Sequence, residues 1–288
     1  MTYREHLDRA TQRLVAHGFL KEDASLEARI LMEETFQLSF AKLLLRMEEE
    51  APSIPSELFE KRIAQRLNDE PIAYILGERE FMGISFKVNR STLIPRQDTE
   101  ILVEEALKRL DTAKGTLRIL DLCTGSGCII VSLWVFLQKK KQQEELVLLG
   151  SDISKEALAI ASLNAKKAGA KVEFRLGDLF SVVTEEEKFH LITANPPYIS
   201  GEEMKTLPKD VANYEPHLAL YGGDDGLAFY RRIVRDSLEH LLPGGILMME
   251  IGETQGNSVQ GLMEEAGFHD VMVIQDYQGL DRVVVGNV

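Results

Sequence analysis

The sequence has little cysteine, an excess of acidic over basic residues and no long apolar run. Its 288 residues include two cysteines, Cys123 and Cys128, which argues against a disulfide framework and fits a reducing compartment. No cysteines or histidines have the spacing of a zinc site, so we predict no structural metal. The longest apolar runs, such as residues 129–137, are too short to span a bilayer. Because the charged N-terminus also lacks a signal-peptide-like stretch, we expect a cytoplasmic protein without membrane contact.

The charge balance bears on the class of substrate. The chain carries 33 Lys and Arg against 46 Asp and Glu, a formal net charge of −13. Proteins that bind nucleic acid generally present a basic face that displaces counterions from the phosphates. The balance therefore disfavours a nucleic-acid partner, although a local basic patch stays open and the excess acid is equally explained by solubility.

Glycine is scarce in the first part of the chain, where Gly18 and Gly77 are the only two before residue 80. Two apolar faces with helical spacing occur there, Phe59/Ile63/Leu67 and Leu26/Ile30/Leu31. Ser56 marks the expected start of a helix. We therefore predict an all-helical domain over residues 1–78, a β-hairpin linker over residues 79–96, and a third region over residues 97–288.

The third region repeats strand, turn and helix. The predicted strands are residues 117–121, 146–152, 171–176, 189–194 and 247–251, with a helix over about 155–168. This alternation predicts an α/β fold with a parallel sheet and helices on both faces. Residues 269–277 and 282–288 are separated by four residues, too few for a parallel crossover, so we expect a C-terminal antiparallel hairpin.

A glycine loop follows the first predicted strand, over residues 121–128. Gly125 and Gly127 fit the start of a dinucleotide-binding G-x-G-x-x-G, but the third glycine is replaced by Ile130. A phosphate-binding P-loop fails as well, since no Gly-Lys-Ser/Thr follows. Asp121 precedes the loop, where a carboxylate repels a pyrophosphate but attracts an ammonium, so the loop favours S-adenosylmethionine, which carries an ammonium and no phosphate.

Acidic residues also end the next two strands. Asp152 is placed to accept hydrogen bonds from the ribose hydroxyls, and Asp178 from the adenine amine. Each alone is equally explained as a helix N-cap or a turn residue. Because strand ends converge on the ligand site of such sheets, three acids at successive ends favour a cofactor site.

Asn195-Pro196-Pro197-Tyr198 follows the fourth strand, and its chemistry suits methylation of a planar, weakly nucleophilic nitrogen. The Asn195 side-chain carbonyl and the Pro196 backbone carbonyl can each accept one N–H of an NH₂ group. The prolines, Pro196 and Pro197, stiffen the loop because their φ angles are fixed. Tyr198 supplies a ring against the flat face of the substrate, so positioning carries much of the predicted catalysis. A loop in which prolines merely end a strand is the simpler alternative.

At this point the whole chain resembles a known family, the bacterial release factor glutamine methyltransferases of the PrmC/HemK type. The matching segments are residues 70–77, 81–83, 94–100, 121–127, 195–198, 222–227 and 281–283. The resemblance implies a class I Rossmann-like methyltransferase sheet preceded by a small helical domain that helps to grip the substrate. It implies N5 methylation of the glutamine in the Gly-Gly-Gln motif of class 1 peptide chain release factors.

The resemblance also implies site residues. The loop residues Cys123, Thr124, Gly125, Ser126 and Gly127, together with Asp152 and Asn195, are expected to touch the cofactor. Leu179 stands where some members have an aromatic side chain against adenine. Asn195–Tyr198 are expected to hold the glutamine. The family usually has glycine in place of Cys123, so a positive φ there would strain the cysteine, and usually proline in place of Gln97.

Two other functions remain open from the residues alone. The exocyclic amine of adenine has the same planar NH₂ geometry, so the Asn-Pro-Pro-Tyr motif also fits an adenine-N6 methyltransferase, which on duplex DNA would have to flip the base. A non-catalytic module that keeps only the cofactor fold is the third possibility. The acidic balance disfavours the former, and the intact motif disfavours the latter.

Overall fold

A computed structural model describes residues 1–111, 115–140 and 143–288, which divide into two compact units. The first unit comprises residues 1–77 and 208–214, and the second residues 78–207 and 215–288. The grouping of residues 208–214 with the N-terminal helices was not predicted, because nothing in the local sequence indicates where so short a segment packs. Among the described residues, none of the helices is long and apolar enough to cross a lipid bilayer.

The first unit is built of helices. They are α1 (Tyr3–His17), α2 (Lys21–Phe36), α3 (Phe40–Leu45), α4 (Ser53–Arg66), α5 (Ile72–Leu76) and the late α9 (Lys209–Tyr214). Helix α1 begins with a capping box, in which the Thr2 side chain accepts from the Glu5 N–H and the Glu5 carboxylate accepts from the Thr2 N–H. Gly18 ends it in a left-handed conformation with φ 116°.

The core of this unit confirms one predicted helix face and corrects another. Phe59 and Ile63 are fully buried on α4. On α2 the buried face passes through Ala24, Ala28 and Leu31, whereas Leu26 is 46% exposed. Leu31 of the predicted face is therefore confirmed and Leu26 is wrong, because the alanines that complete the buried face are small and give a weak apolar signal in the sequence. Helix α4 also begins at Ser53 rather than Ser56, since Pro55 is tolerated in a first helical turn.

The second unit opens with an antiparallel hairpin, β1 (Glu78–Phe81) and β2 (Ile84–Lys87), and then forms the main sheet. The strands of that sheet are β3 (Gly115–Leu122), β4 (Gln143–Asp152), β5 (Glu173–Leu176), β6 (Phe189–Ala194), β7 (Leu241–Glu250), β8 (His269–Gln275) and β9 (Asp281–Asn287). Their order is β5-β4-β3-β6-β7-β9-β8, parallel from β5 to β7, with antiparallel β9 and β8 at one edge. The predicted fold class is confirmed.

Both faces of this sheet are covered. The helices of this unit are α6 (Glu100–Arg109), α7 (Cys128–Lys140), α8 (Lys155–Ala168), α10 (Ala228–Ser237) and α11 (Gly256–Ala266). Successive strand residues enter opposite cores: Ile119 packs with α6 and α7, and Leu120 with α10 and α11. Strands buried on both faces read as continuous apolar runs, which is why the sequence located them.

The connectivity places the functional region. Strand β3 has β4 on one side and β6 on the other, so the strand order changes direction between β3 and β6. In open α/β sheets ligands bind outside the carboxyl ends of the strands at such a switch point. The glycine loop follows β3 and the Asn-Pro-Pro-Tyr segment follows β6, so both lie at this point.

Candidate active site

A cavity of about 450 Å³ lies at the carboxyl ends of β3–β6. This size falls within the roughly 300–1,000 Å³ typical of small-molecule sites. Its walls come from residues 91–93, 95, 99, 123–126, 128–129, 151–154, 156–157, 177–179, 195, 197, 216, 218–219, 229 and 232. The structure therefore brings most of the predicted site residues around one cavity.

The glycine loop forms one wall and is tied to β4. The Thr124 N–H donates to the Ser151 carbonyl at 2.9 Å, and the Gly125 N–H donates to Asp152 Oδ2 at 2.8 Å. Gly127 has φ 78°, and a Cβ there would lie 3.2 Å from the Ala161 Cβ. Gly127 thus allows the loop to pass close to α8, although it does not itself line the cavity.

Cys123 stands where a left-handed backbone is required. Its φ is 55°, a conformation that L side chains rarely adopt, so the expected strain at this position is present. Burial raises the pKa of the Cys123 thiol, with Asp152 and Asp121 adding to the effect. Burial likewise raises the pKa of Cys128 to about 12, so both thiols stay protonated near neutral pH.

Asp121 lies behind the loop rather than in the cavity wall. It is 0% exposed, and both carboxylate oxygens accept hydroxyl hydrogens, Oδ2 from Thr124 at 2.6 Å and Oδ1 from Thr193 at 2.7 Å. Burial raises its pKa to about 7. Asp121 thereby joins the glycine loop to β3 and β6, an arrangement that favours an indirect action on the cofactor over the predicted direct contact with its ammonium group.

Asp152, at the end of β4, lines the cavity as predicted. Its Oδ2 accepts from the Gly125 N–H, and its Oδ1 from the Ser154 N–H at 2.9 Å. Burial raises its pKa, while the donors Ser154 and Gly125 act in the opposite direction. A carboxylate held by two backbone donors is fixed in orientation and keeps further lone pairs for a ligand.

Asp178 and Leu179 also line the cavity, in the company of a residue that the sequence did not reveal. Arg232, on α10, donates from Nη2 to Asp178 Oδ2 at 2.6 Å and lines the same wall with Phe229. Leu179 is 5% exposed and has φ 48°. Arg232 is separated from Asp178 by 54 positions, so no local pattern could have paired them.

The Asn-Pro-Pro-Tyr segment, called the acceptor loop below, forms the wall beyond β6. Asn195 and Pro197 line the cavity, but Pro196 and Tyr198 do not. The Tyr198 ring packs with the core on the α10 and α11 face, where a Cβ on Gly252 would lie 3.5 Å from it. The ring is partly buried against this core, and its predicted contact with the substrate stays a prediction.

The acceptor loop is held firmly from behind. The Tyr198 carbonyl accepts from Gln255 Nε2 at 3.0 Å, and the Ile199 N–H donates to the Leu220 carbonyl at 2.9 Å. A Cβ on Gly226, where φ is 73°, would collide with the Tyr198 carbonyl oxygen. Glycine is therefore required there so that residues 222–227 can pack against the loop.

A buried acid joins two other parts of the cavity wall. The Glu215 side chain is 1% exposed and accepts from the Ile94 N–H at 3.2 Å and from the Arg96 guanidinium. Residues 91–95 and 216–219 both contribute to the cavity. Glu215 therefore fixes these two segments together.

The charge of the wall discriminates between cofactor classes. Among the described residues that line the cavity, Asp152, Glu156 and Asp178 are acidic, and Arg232 is the one basic side chain, already paired with Asp178. Such a wall repels phosphates and attracts cations. The ammonium and sulfonium groups of S-adenosylmethionine fit it, whereas a pyrophosphate does not.

Two family profiles match the chain, "PrmC N-terminal domain" over residues 5–77 and "Methyltransferase small domain" over residues 97–213. A release factor glutamine methyltransferase from Geobacter sulfurreducens is 41% identical over 289 residues, covering 100% of this chain and 97% of that protein. A release factor glutamine methyltransferase from Cereibacter sphaeroides is 41% identical over 277 residues, covering 96% and 94%.

A solved structure agrees in fold. The T. thermophilus 16S rRNA N2 G1207 methyltransferase, in complex with AdoMet and guanosine, superposes with a TM-score of 0.51 at 17% identity, covering 73% of this chain and 49% of that one. At this level of identity the likeness concerns the methyltransferase fold alone.

Proposed function

The chain belongs to the release factor glutamine methyltransferase family, and we propose that it methylates the N5 side-chain amide of the glutamine in the Gly-Gly-Gln motif of class 1 peptide chain release factors. The methyl donor is S-adenosylmethionine. The observation that carries the proposal is the position of Asn195 and Pro197, which line the cavity wall beside the glycine loop at the switch point of the sheet. The full-length relatives give no support to the alternative function, methylation of the N6 amine of adenine.

The cofactor side of the site is assigned as follows. Asp152 accepts hydrogen bonds from the ribose hydroxyls, and Leu179 lies against the adenine. Asp178 accepts a hydrogen bond from the adenine amine, and Arg232 holds the Asp178 carboxylate in place. The loop residues 123–127 lie against the methionine part, while the N–H groups of Thr124, Gly125 and Gly127 hold the shape of the loop through hydrogen bonds within the protein. Asp121 acts indirectly, by anchoring this loop through the Thr124 hydroxyl.

The acceptor loop supplies the catalysis. The reacting nitrogen is a planar amide whose lone pair is delocalised, so it must be held while the methyl group approaches perpendicular to its plane. The Asn195 Oδ1 and the Pro196 carbonyl each accept one N–H, which raises the electron density on the nitrogen and orients it. When bound, S-adenosylmethionine supplies an electrophilic methyl group on a positively charged sulfur. Holding both reactants in this geometry carries much of the rate enhancement.

The partner and the compartment follow from this assignment. A release factor is the proposed protein substrate, and the helical domain over residues 1–78 is assigned to gripping it. Exposed apolar side chains on that domain support this role: Leu45 is 85% exposed, Ile54 80% and Leu20 74%. The net charge of −13 supports a site without direct nucleic-acid contact, and we place the protein in the cytoplasm, where release factors act.

The test is transfer of a labelled methyl group to purified release factor with the Gly-Gly-Gln glutamine either intact or replaced by alanine. Label on the intact protein alone is expected. Asn195→Ala should nearly abolish turnover while the affinity for S-adenosylmethionine stays within about tenfold, because most of its contribution is made in the transition state. Asn257→Ala, an exposed asparagine on α11, is the matched control and should behave like the unmodified protein.

Transfer that persists after replacement of the glutamine would exclude the proposed substrate. Normal turnover by Asn195→Ala would exclude the assigned role of the acceptor loop even if the glutamine is confirmed as the target.

A further inference from the structure

Glu250 is a buried carboxylate beside the acceptor loop, and the chemistry described above does not use it. Ala194 of β6 pairs with Met249 of β7, so the next residues, Asn195 and Glu250, are neighbours at the carboxyl ends of adjacent strands. Glu250 is 2% exposed and does not line the cavity. It is therefore placed to act on Asn195 and not on the substrate.

The carboxylate has an incomplete set of donors. Within the described part of the chain, its Oε2 atom is buried without a hydrogen-bond partner. The nearby Arg282 guanidinium is shared between Asp276, at 3.2 Å, and Asp98, at 3.5 Å. The Tyr230 hydroxyl donates to the Glu250 backbone carbonyl at 2.9 Å and not to its carboxylate. A buried carboxylate oxygen in this position favours any neighbouring donor.

Asn195 is the neighbour of Glu250 at the strand ends, and Thr99 is in hydrogen-bond contact with Asn195. Both lower the pKa of Glu250, but burial acts more strongly and raises it to about 7. The Asn195 Nδ2 also donates to Thr99 Oγ1 at 3.4 Å. A Thr99 hydroxyl whose hydrogen is directed to the carboxylate presents only its oxygen to Asn195.

The consequence concerns the orientation of the Asn195 amide. The oxygen and nitrogen of an amide have nearly the same shape, so hydrogen bonding decides which of them faces a given neighbour. An ionised carboxylate only accepts, and it favours the NH₂ end of Asn195 while repelling the carbonyl end. With the NH₂ group turned towards Thr99 and Glu250, the carbonyl oxygen is left facing the cavity that Asn195 lines.

We propose that Glu250 is a positioning residue for methyl transfer, which keeps the Asn195 carbonyl oxygen turned towards the substrate NH₂ group. This inference rests on the proposed function, since it assumes that Asn195 accepts a hydrogen bond from the substrate amide. Glu250 itself touches neither the substrate nor the cofactor. Glu250 disfavours the flipped orientation of the Asn195 amide, in which the Asn195 NH₂ group would face the substrate NH₂ group and no hydrogen bond could form.

The protonation of Glu250 should therefore control turnover. A protonated carboxyl group carries an O–H that can donate to Thr99 Oγ1 or Asn195 Oδ1, which reverses the preference. The charged and titratable groups around it are Asp98, Arg282, Tyr198, Tyr230 and Cys128, whose thiol stays protonated. Burial raises the pKa of both tyrosines, so they stay neutral, and the arginine stays charged. Glu250 should hence dominate a rise of kcat with pH near 7.

The experiment compares Glu250→Gln with Glu253→Gln, an exposed glutamate three positions further on that serves as the matched control. Glutamine keeps the shape but offers Asn195 both a donor and an acceptor. In Glu250→Gln the kcat on release factor should fall about tenfold to hundredfold, the cost of a misplaced contact. The affinity for S-adenosylmethionine should stay unchanged, and the rise of kcat near pH 7 should disappear. Glu253→Gln should match the unmodified protein in all three.

Thr99→Val is the second variant, and it should give a smaller loss of kcat because it removes one link between the carboxylate and the amide. An unchanged kcat in Glu250→Gln overturns the inference. A loss of kcat accompanied by an equal loss of cofactor affinity also overturns it, since that result indicates a merely structural role. If Asn195→Ala retains turnover, the proposed function fails instead, and the two failures are thereby distinguished. If Glu250→Gln does not fold, the pH profile of the unmodified protein decides: a kcat that does not rise near pH 7 overturns the inference.

Discussion

Two loops meet at the cavity, and a buried acidic residue lies behind each of them. The two acids differ in how completely their carboxylate oxygens are hydrogen-bonded. The glycine loop after β3 is backed by Asp121, and the acceptor loop after β6 by Glu250 at the end of β7. Burial raises the pKa of each acid to about 7. Asp121 has a hydroxyl donor on both oxygens, whereas the Glu250 Oε2 has none among the described residues.

This difference indicates that Asp121 has a structural role and that Glu250 regulates the orientation of Asn195. A carboxylate with both oxygens satisfied holds its neighbours in one arrangement, and Asp121 thereby fixes the loop that carries the cofactor. A carboxylate with a free acceptor site favours one orientation of the neighbouring amide, and this preference reverses when the carboxylate takes up a proton. Changes at Asp121 should therefore appear in cofactor affinity, and changes at Glu250 in turnover.

Among the variants that test this distinction between the two acids, the largest effect on cofactor binding is expected at Asp121. Asp121→Ala should raise the Kd for S-adenosylmethionine about 100-fold, because the Thr124 and Thr193 hydroxyls lose a charged acceptor and the loop loses its anchor, a cost of about 2–3 kcal/mol. The kcat at saturating cofactor should fall much less. Isothermal titration calorimetry gives the former and the methyl-transfer assay the latter.

Asp121→Asn sharpens this test, since an asparagine keeps the shape and one acceptor. It should raise the Kd by an intermediate amount. A variant series in which kcat falls while cofactor affinity is retained would remove the distinction between the two loops.

The next effect concerns stability, and its sign is opposite to that on activity. The pKa of Glu250 is raised by burial from 4.5 to about 7, so the unfolded chain loses this proton first as the pH rises. Stability is then lost between about pH 4.5 and pH 7. Glu250→Gln removes this loss. Its stability relative to the unmodified protein should therefore improve by about 2 kcal/mol between pH 5.5 and pH 8.5.

Urea denaturation at the two pH values measures this difference, with Glu253→Gln as the exposed control. A variant that is less active yet more stable at alkaline pH shows that the carboxylate is kept for function. A relative stability that falls with pH would contradict the placement of Glu250 as a buried, unpaired acid.

The sequence predicted the parts of this arrangement that are local. Helix α8 spans the predicted residues 155–168, and its two ends are marked by local features, Ser154 at the N-cap and Gly169 at the C-cap. The cavity-lining positions of Cys123, Asp152 and Asn195 followed from their places at strand ends, where a parallel sheet gathers them.

The missed features depend on contacts between distant parts of the chain. Glu250 and Asn195 became neighbours through the pairing of β6 with β7, and Arg232 met Asp178 across 54 positions. Whether a side chain faces the cavity or the core behind it is decided by packing. For this reason the sequence placed Asp121 and Tyr198 in their loops but did not show that neither of them lines the cavity.

The smallest expected effect returns to the glycine loop, at Cys123. With φ 55°, a cysteine there costs roughly 1 kcal/mol of backbone strain, which glycine does not bear. Glycine also increases the entropy of the unfolded chain, which offsets part of the gain. Cys123→Gly should therefore raise the free energy of unfolding by about 0.5 kcal/mol and lower the Kd for S-adenosylmethionine by no more than about threefold.

Cys128→Gly is the matched control, because Cys128 begins α7 and is not among the residues with positive φ. There the same substitution relieves nothing and should destabilise the protein by about 1 kcal/mol. Thermal and urea denaturation of the two variants side by side give the signs. If Cys123→Gly proves the more destabilising of the two, the backbone at Cys123 is not strained. The cysteine side chain would then stabilise the loop by packing.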